Sequence, residues 1–209
     1  MIEKPVDTRR RRFLTAAATV IGVSGLAAVA VPFIRSMNPS AAVNAAGAPV
    51  DIDVSKLDPG AMITVSWRGR PVWVLRRTPE QLKTLQDAEL LKKLRDPDSR
   101  EPQQFSDDVA NWHRSLDPEY LVLVGICTHL GCVPTYRPDI APTDLGPTWA
   151  GGFLCACHGS LYDLSGRVQK FMPAPLNLPV PPYYFISDTR LLVGELKDKS
   201  EQNWNPQVW

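Results

Sequence analysis

The chain has 209 residues, with 23 Lys and Arg against 22 Asp and Glu and 44% apolar residues, the makeup of a globular protein and not of a disordered or collagen-like one. A net charge of +1 lacks the basic excess with which nucleic-acid-binding surfaces meet phosphate, so no nucleic-acid partner is expected. The charge is uneven: Lys4, Arg9, Arg10, Arg11 and Arg12 form a basic head, while the chain beyond Arg35 is slightly acidic.

From Phe13 to Ile34 no residue is charged, and as a helix this run spans about 33 Å, enough to cross a bilayer. Four arginines before it and one after it keep residues 1–12 in the cytoplasm under the positive-inside rule and put the rest of the chain outside. The reading is a cytoplasmic basic arm over 1–12, a transmembrane helix over 13–35 and a single-pass protein of the bacterial inner membrane facing the periplasm. Arg10-Arg11-Arg12-Phe13-Leu14 also resembles a twin-arginine export signal, with Arg10 and Arg11 as the pair. The span exceeds the usual signal core of about 7 to 15 residues, which favours a retained anchor over a cleaved peptide. Residues 36–49, SMNPSAAVNAAGAP, are small and uncharged, too poor in apolar bulk to fold alone, and read as a flexible hinge.

The body, residues 50–209, reads as short strands. Alternation over Met62–Trp67, a turn at Arg68-Gly69-Arg70 and a second run over Pro71–Leu75 predict a hairpin. Thr78-Pro79-Glu80-Gln81 supplies an N-cap, a proline in the first turn and a Gln at N3, opening one helix through Leu82, Leu85, Leu90, Leu91 and Leu94 that stops before Asp96-Pro97. Further strands are expected at Tyr120–Val124, Gly152–Leu154, Tyr184–Ser187 and Arg190–Gly194. The class is all-β: an antiparallel sandwich with one helix. His113, Trp67, Trp73 and Trp149 are expected as packing residues, and Asp107, Asp108 and Asp144 as solvated surface.

All four cysteines and two of the three histidines lie in Cys127-Thr128-His129-Leu130-Gly131-Cys132 and Cys155-Ala156-Cys157-His158-Gly159-Ser160. Cys127, His129, Cys155 and His158 offer two thiolates and two imidazoles on two loops, enough for a metal centre. Cys132 and Cys157 remain as an even pair in an exported domain, suited to a disulfide. A structural zinc site, two plain disulfides, and a [2Fe-2S] centre with histidines on one iron all remain open at this level.

The two motifs, Cys-x-His-x-Gly-Cys and Cys-x-Cys-His-Gly-Ser, resemble those of the Rieske iron–sulfur family. The order of basic arm, span, small-residue hinge, β domain and proline-rich segment is similar to that of the iron–sulfur subunits of bacterial quinol:cytochrome c oxidoreductase, the cytochrome bc1 complex. The resemblance implies a Rieske [2Fe-2S] cluster with Cys127 and Cys155 on one iron and His129 and His158 on the other, braced by a Cys132–Cys157 disulfide, in a cluster-binding subdomain inserted at about 125–176. It implies hydrogen bonds from Ser160 and Tyr162 to cluster sulfurs, shielding by Leu130, and a covering loop with Pro173 and Pro175, where Met172 departs from the usual glycine. It further implies that His158 binds ubiquinol and accepts its proton, that the partners are cytochrome b and cytochrome c1, and that the three core subunits form a homodimeric complex which translocates protons. A Rieske subunit of another membrane or periplasmic redox complex is the competing expectation; soluble dioxygenases and their ferredoxins fit the export signal poorly.

Because a cluster assembled in the cytoplasm requires export of the folded domain, Arg10→Lys with Arg11→Lys is expected to hold the protein inside the cell, read by protease accessibility in spheroplasts.

Overall fold

A computed structural model describes residues 7–197; residues 1–6 of the basic arm and 198–209 of the C-terminal domain lie outside the described residues. The chain divides into a unit ending at Ala45 and a unit beginning at Ala46.

The first unit is dominated by helix α1, Thr8–Ser36. It starts before the apolar run because Asp7 caps it, its carboxylate accepting from the Arg9 and Arg10 amides at 3.0 and 3.2 Å. The arginines therefore ride on the first helical turns instead of preceding the helix. At 29 residues with a mean hydropathy of 2.1 over its most apolar window, α1 is long and apolar enough to cross a membrane. Thr15 and Thr19 hide their hydroxyls by donating to the carbonyls of Arg11 and Thr15. Within the expected hinge, Ala41–Ala46 forms a short helix, α2, as the alanine content allows.

Among the described residues the second unit holds nine strands in three antiparallel sheets of three. One is β1 (Val50–Asp53), β9 (Arg190–Val193) and β8 (Tyr183–Ser187), in the order β1-β9-β8; the next is β2 (Met62–Trp67), β3 (Arg70–Arg76) and β4 (Tyr120–Val124); the third is β5 (Thr135–Arg137), β6 (Gly152–Cys155) and β7 (Ser160–Tyr162). The β2–β3 hairpin closes through Arg68 and Gly69, both at positive φ (51° and 72°), the two-residue turn that follows the natural strand twist. β3 is central, and Val72–Leu75 are all buried, so its two faces are both covered.

The single helix expected over 82–94 is two: α3, Pro79–Thr84, and α4, Ala88–Lys93. The Thr78/Gln81 capping box forms as predicted. The break comes from Asp87, whose side chain accepts from the Glu89 and Leu90 amides at 2.9 and 3.0 Å and starts a new helix. Leu85 and Leu94, the residues just after each helix, are fully buried.

Trp67, Trp73, Leu121 to Val124, Phe153, Tyr162 and Tyr183 form the core, which includes Cys127 and Cys155. Trp73 stacks on Phe153 at 4.9 Å, and Gly125 passes so close over the Trp73 ring that no side chain fits there. His113 packs edge-on to Trp112 and bonds Ser115 Oγ at 2.8 Å through Nδ1; burial and the charge of Arg77 push it down to about 4. Asp144 lies at the surface, as expected, but pairs bidentately with Arg137.

Below the third sheet the tight turn after β7 is fastened by buried ions. Asp163 Oδ1 accepts from the amides of Ser165 and Arg167, and Oδ2 from Arg167 Nε at 2.7 Å. Arg167 also donates to the carbonyls of Pro97 and Leu85. Arg77, pushed down to about 10 by burial and so still cationic at neutral pH, donates to the carbonyls of Pro118, His113 and Leu164 and to Ser115 and Ser165. Removing one member of a buried pair leaves the other uncompensated, at about 3–5 kcal/mol. Asp163→Ala is therefore expected to lower unfolding stability by about that amount, measured by chemical denaturation.

Candidate metal centre

Two loops with the same backbone design carry the cysteines and histidines. After β4, Gly131 donates its amide to the Cys127 carbonyl at 3.0 Å; after β6, Gly159 donates to the Cys155 carbonyl at 2.9 Å. Each is a five-residue turn closed by a glycine in the left-handed region, φ 84° and 76°, where a Cβ is disfavoured. The first cysteine of each turn is buried at the base; beyond it Thr128 is buried, His129 half-buried and Leu130 exposed in the first loop, while Ala156 to Gly159 are all exposed in the second. Cys127 also donates its amide to the Cys132 carbonyl at 2.7 Å, drawing the first loop shut.

Cys132 and Cys157 are joined, with their Cα atoms 6.7 Å apart, so the tips of the two loops are covalently linked. Cys127 and Cys155 are free and buried. The His129 and His158 rings meet edge to face at 4.6 Å. His158 is exposed and His129 half-buried, and His129 Nδ1 is buried with no hydrogen-bond partner, as a metal-facing lone pair is. The sulfurs of Cys132, Cys155 and Cys157 lie within 4.8 Å of one another, but two of them are consumed by the disulfide and offer no thiolate. The groups able to hold a metal are therefore Cys127, Cys155, His129 and His158.

Burial pushes the Cys155 thiol up, its hydrogen bond with Cys127 adding to this, while the amides of Cys157 and His158 aimed at the sulfur oppose it. In so dry a site the Cys155 sulfur is poorly suited to stand as a free thiolate; a metal cation reverses that preference.

The surrounding hydroxyls are ordered. Tyr162 Oη lies 3.2 Å from Cys127 Sγ and accepts from the Thr128 amide at 3.3 Å; burial first, then the neighbouring sulfur, raises its pKa. Ser160 stands opposite Cys155 in the β6–β7 register and its Oγ accepts from the Ala174 amide at 3.0 Å, leaving its own hydrogen to donate. Pro173 is exposed, Ala174 buried and Pro175 partly buried, and Leu130 is 71% exposed. Thr128 was not singled out from the sequence. Its Oγ1 donates to the Leu176 carbonyl at 2.7 Å and so ties the proline loop to the first motif. A threonine between Cys and His is the only local signal, since its partner is 48 residues away. Arg10 and Arg11 lie on the opening turns of α1 and are not part of this constellation.

An antiparallel β domain with two Cys/His loops, a disulfide across them and a proline loop against them defines an iron–sulfur domain of the Rieske type. Residues 48–182 match the model of the Rieske [2Fe-2S] domain, and residues 2–40 that of the ubiquitinol-cytochrome C reductase Fe-S subunit TAT signal. The ubiquinol-cytochrome c reductase iron-sulfur subunit of Allochromatium vinosum is 54% identical over 195 residues, covering 93% of each chain. That of Blastochloris viridis is 42% identical over 90% of this chain and 94% of its own. The cytochrome b-c1 complex subunit Rieske, mitochondrial, of Solanum tuberosum is 38% identical over 91% of this chain and 64% of its own length. The chain belongs to the family of ubiquinol-cytochrome c reductase iron-sulfur subunits, which carry a Rieske [2Fe-2S] cluster. The apolar helix and the bacterial relatives together support anchoring in a membrane.

A hydroxyl donating to sulfur favours the more negative, reduced centre. Ser160→Ala with Tyr162→Phe is expected to keep the cluster and lower its midpoint potential, each lost bond being worth about 1 kcal/mol, measured by a redox titration followed by electron paramagnetic resonance.

Proposed function

We propose that the chain is the electron-carrying subunit of a membrane quinol:cytochrome c oxidoreductase that takes an electron and a proton from ubiquinol. In this reading Cys127 and Cys155 hold one iron, His129 and His158 the other, and the Cys132–Cys157 bond keeps the loops together. The observation that carries it is the asymmetry of the ligand set: two buried cysteines and a half-buried His129 face inward, while His158 is exposed at the tip.

When bound, the cluster supplies one-electron acceptance and donation. The protein supplies the rest. His158 presents its outer ring nitrogen to solvent or partner, where it can accept a hydrogen bond from a quinol hydroxyl and then hold that proton. Tyr162 and Ser160 direct hydroxyls toward sulfur. Leu130, Pro173 and Pro175 limit water around the loops, which strengthens those hydrogen bonds.

The anchor follows from the same reading. The segment 13–35 spans the inner membrane, with the 1–12 arm in the cytoplasm and Arg10 and Arg11 as the export pair. Residues 36–49 tether the 50–209 domain on the periplasmic side, with its cluster-binding part at about 125–176. Quinol is taken at cytochrome b and the electron is delivered to cytochrome c1, in a homodimeric complex of three core subunits.

The deciding experiment is electron paramagnetic resonance on native membranes before and after adding ubiquinol, with iron and zinc analysis of the purified complex. A rhombic signal that appears on reduction and is elicited by ubiquinol is the expected result. A signal elicited only by a chemical reductant would assign the subunit to a different redox complex. Zinc in place of iron would overturn the reading.

A further inference from the structure

Gly152, the first residue of β6, is buried and has φ 151°, a conformation that L side chains rarely adopt. A Cβ at this position would fall on the Tyr162 carbonyl oxygen, with the Tyr162 carbonyl carbon and Asp163 Cα each at 3.0 Å. All three obstacles are backbone atoms, so no side chain can swing aside to make room. Gly125 and Gly194 are packed about as closely, but against tryptophan rings.

Strand β6 thus rests directly on the peptide that joins Tyr162 to Asp163. That peptide has little freedom to retreat. Asp163 donates its amide to the Arg167 carbonyl at 3.0 Å, its carboxylate accepts from Arg167 Nε at 2.7 Å, and Tyr162 is bridged to Val168. What this contact positions is a hydroxyl. The Tyr162 ring is buried within the core, so a displaced backbone carries the ring with it. At the far end of the ring, Oη meets three atoms of one dipeptide: Cys127 Sγ at 3.2 Å, the Thr128 amide at 3.3 Å and Thr128 Oγ1 at 3.3 Å. Hydrogen bonds weaken with stretch and tilt, and a small movement of the phenol disturbs all three. Cys155 lies on the same strand as Gly152. The strand that carries one buried sulfur therefore sets where the phenol meets the other.

Resting on the reading of Cys127 as a cluster ligand, we infer that Gly152 is a positioning residue for the Tyr162–Cys127 hydrogen bond and thereby helps to set the midpoint potential of the centre. A hydroxyl that donates to sulfur favours the reduced state, so a methyl group at position 152 that shifts the phenol lowers the potential.

The test compares Gly152→Ala, Tyr162→Phe, the double variant and Gly194→Ala in the assembled complex in native membranes. Cluster content and midpoint potential are read by redox titration followed by electron paramagnetic resonance. Gly194→Ala puts the same methyl group against the Trp67 ring, beyond the end of a strand in a different sheet, and so reports what a packing defect alone does. Gly152→Ala is expected to keep the cluster and to lower the midpoint in the same direction as Tyr162→Phe and by a comparable amount. In the double variant it is expected to add little to the Tyr162→Phe shift, because two changes acting through one contact are not additive. Gly194→Ala is expected to leave the midpoint at the parent value. A parent midpoint in Gly152→Ala, full additivity in the double variant, or an equal shift in Gly194→Ala would each overturn the inference. Cluster loss from Gly152→Ala would make Gly152 a residue of cluster retention and overturn it too. If Tyr162→Phe itself leaves the midpoint unmoved, the inference falls while the cluster reading stands. A parent protein with no rhombic signal on reduction overturns both together.

Discussion

Burying two cysteine sulfurs at the base of two loops is the constraint on which this domain is organised. Cys127 and Cys155 belong to the same core as Trp73 and Phe153, and a thiolate in such surroundings is unfavourable unless a cation stands beside it. A pair of sulfurs placed so deep is therefore a place made for a metal, and the chain must hold the pair before the metal arrives. It does so with backbone and not with side chains. Each loop is closed on its own cysteine carbonyl by a left-handed glycine, and the two are then linked at their tips by Cys132 and Cys157.

The loops would wander without a floor. Strands β6 and β7 are only four and three residues long, too short to be rigid alone. The turn after β7 is fixed instead by Asp163, Arg167 and Arg77, whose donors reach carbonyls and hydroxyls from three distant parts of the chain. Such buried ions are not a source of net stability in general. Here they set the position of the strand that carries Ser160 and Tyr162, and through Ala174 and Thr128 that position is passed to the proline loop. The site is thus supported from below by charge and from the side by hydroxyls, while its outer face is left uncharged.

Most strands were legible in the sequence because they alternate or carry β-branched runs: Met62–Trp67 and Tyr120–Val124 have the expected bounds. β1, β5 and β7 were not, for a shared reason. They are three or four residues long and, unlike β6 and β9 of similar length, hold no run of three apolar residues to mark them; they exist because a neighbouring strand offers its backbone. The split of the 82–94 helix had a local signal in Asp87, an N-cap residue inside an apolar stripe, but the leucine spacing ran across it.

What the sequence determined by itself is the chemistry: two cysteine-histidine motifs, a basic head before an apolar span, and glycines where the loops must turn. These are local, since a ligand set and a turn depend on residue type over five or six positions. The tertiary structure decided which sulfurs are bonded and which are free, which hydroxyl meets which sulfur, and that His129 is half-buried while His158 is exposed. It also tied Thr128 to Leu176. Those facts depend on contacts between residues far apart in the chain, and no local pattern encodes them.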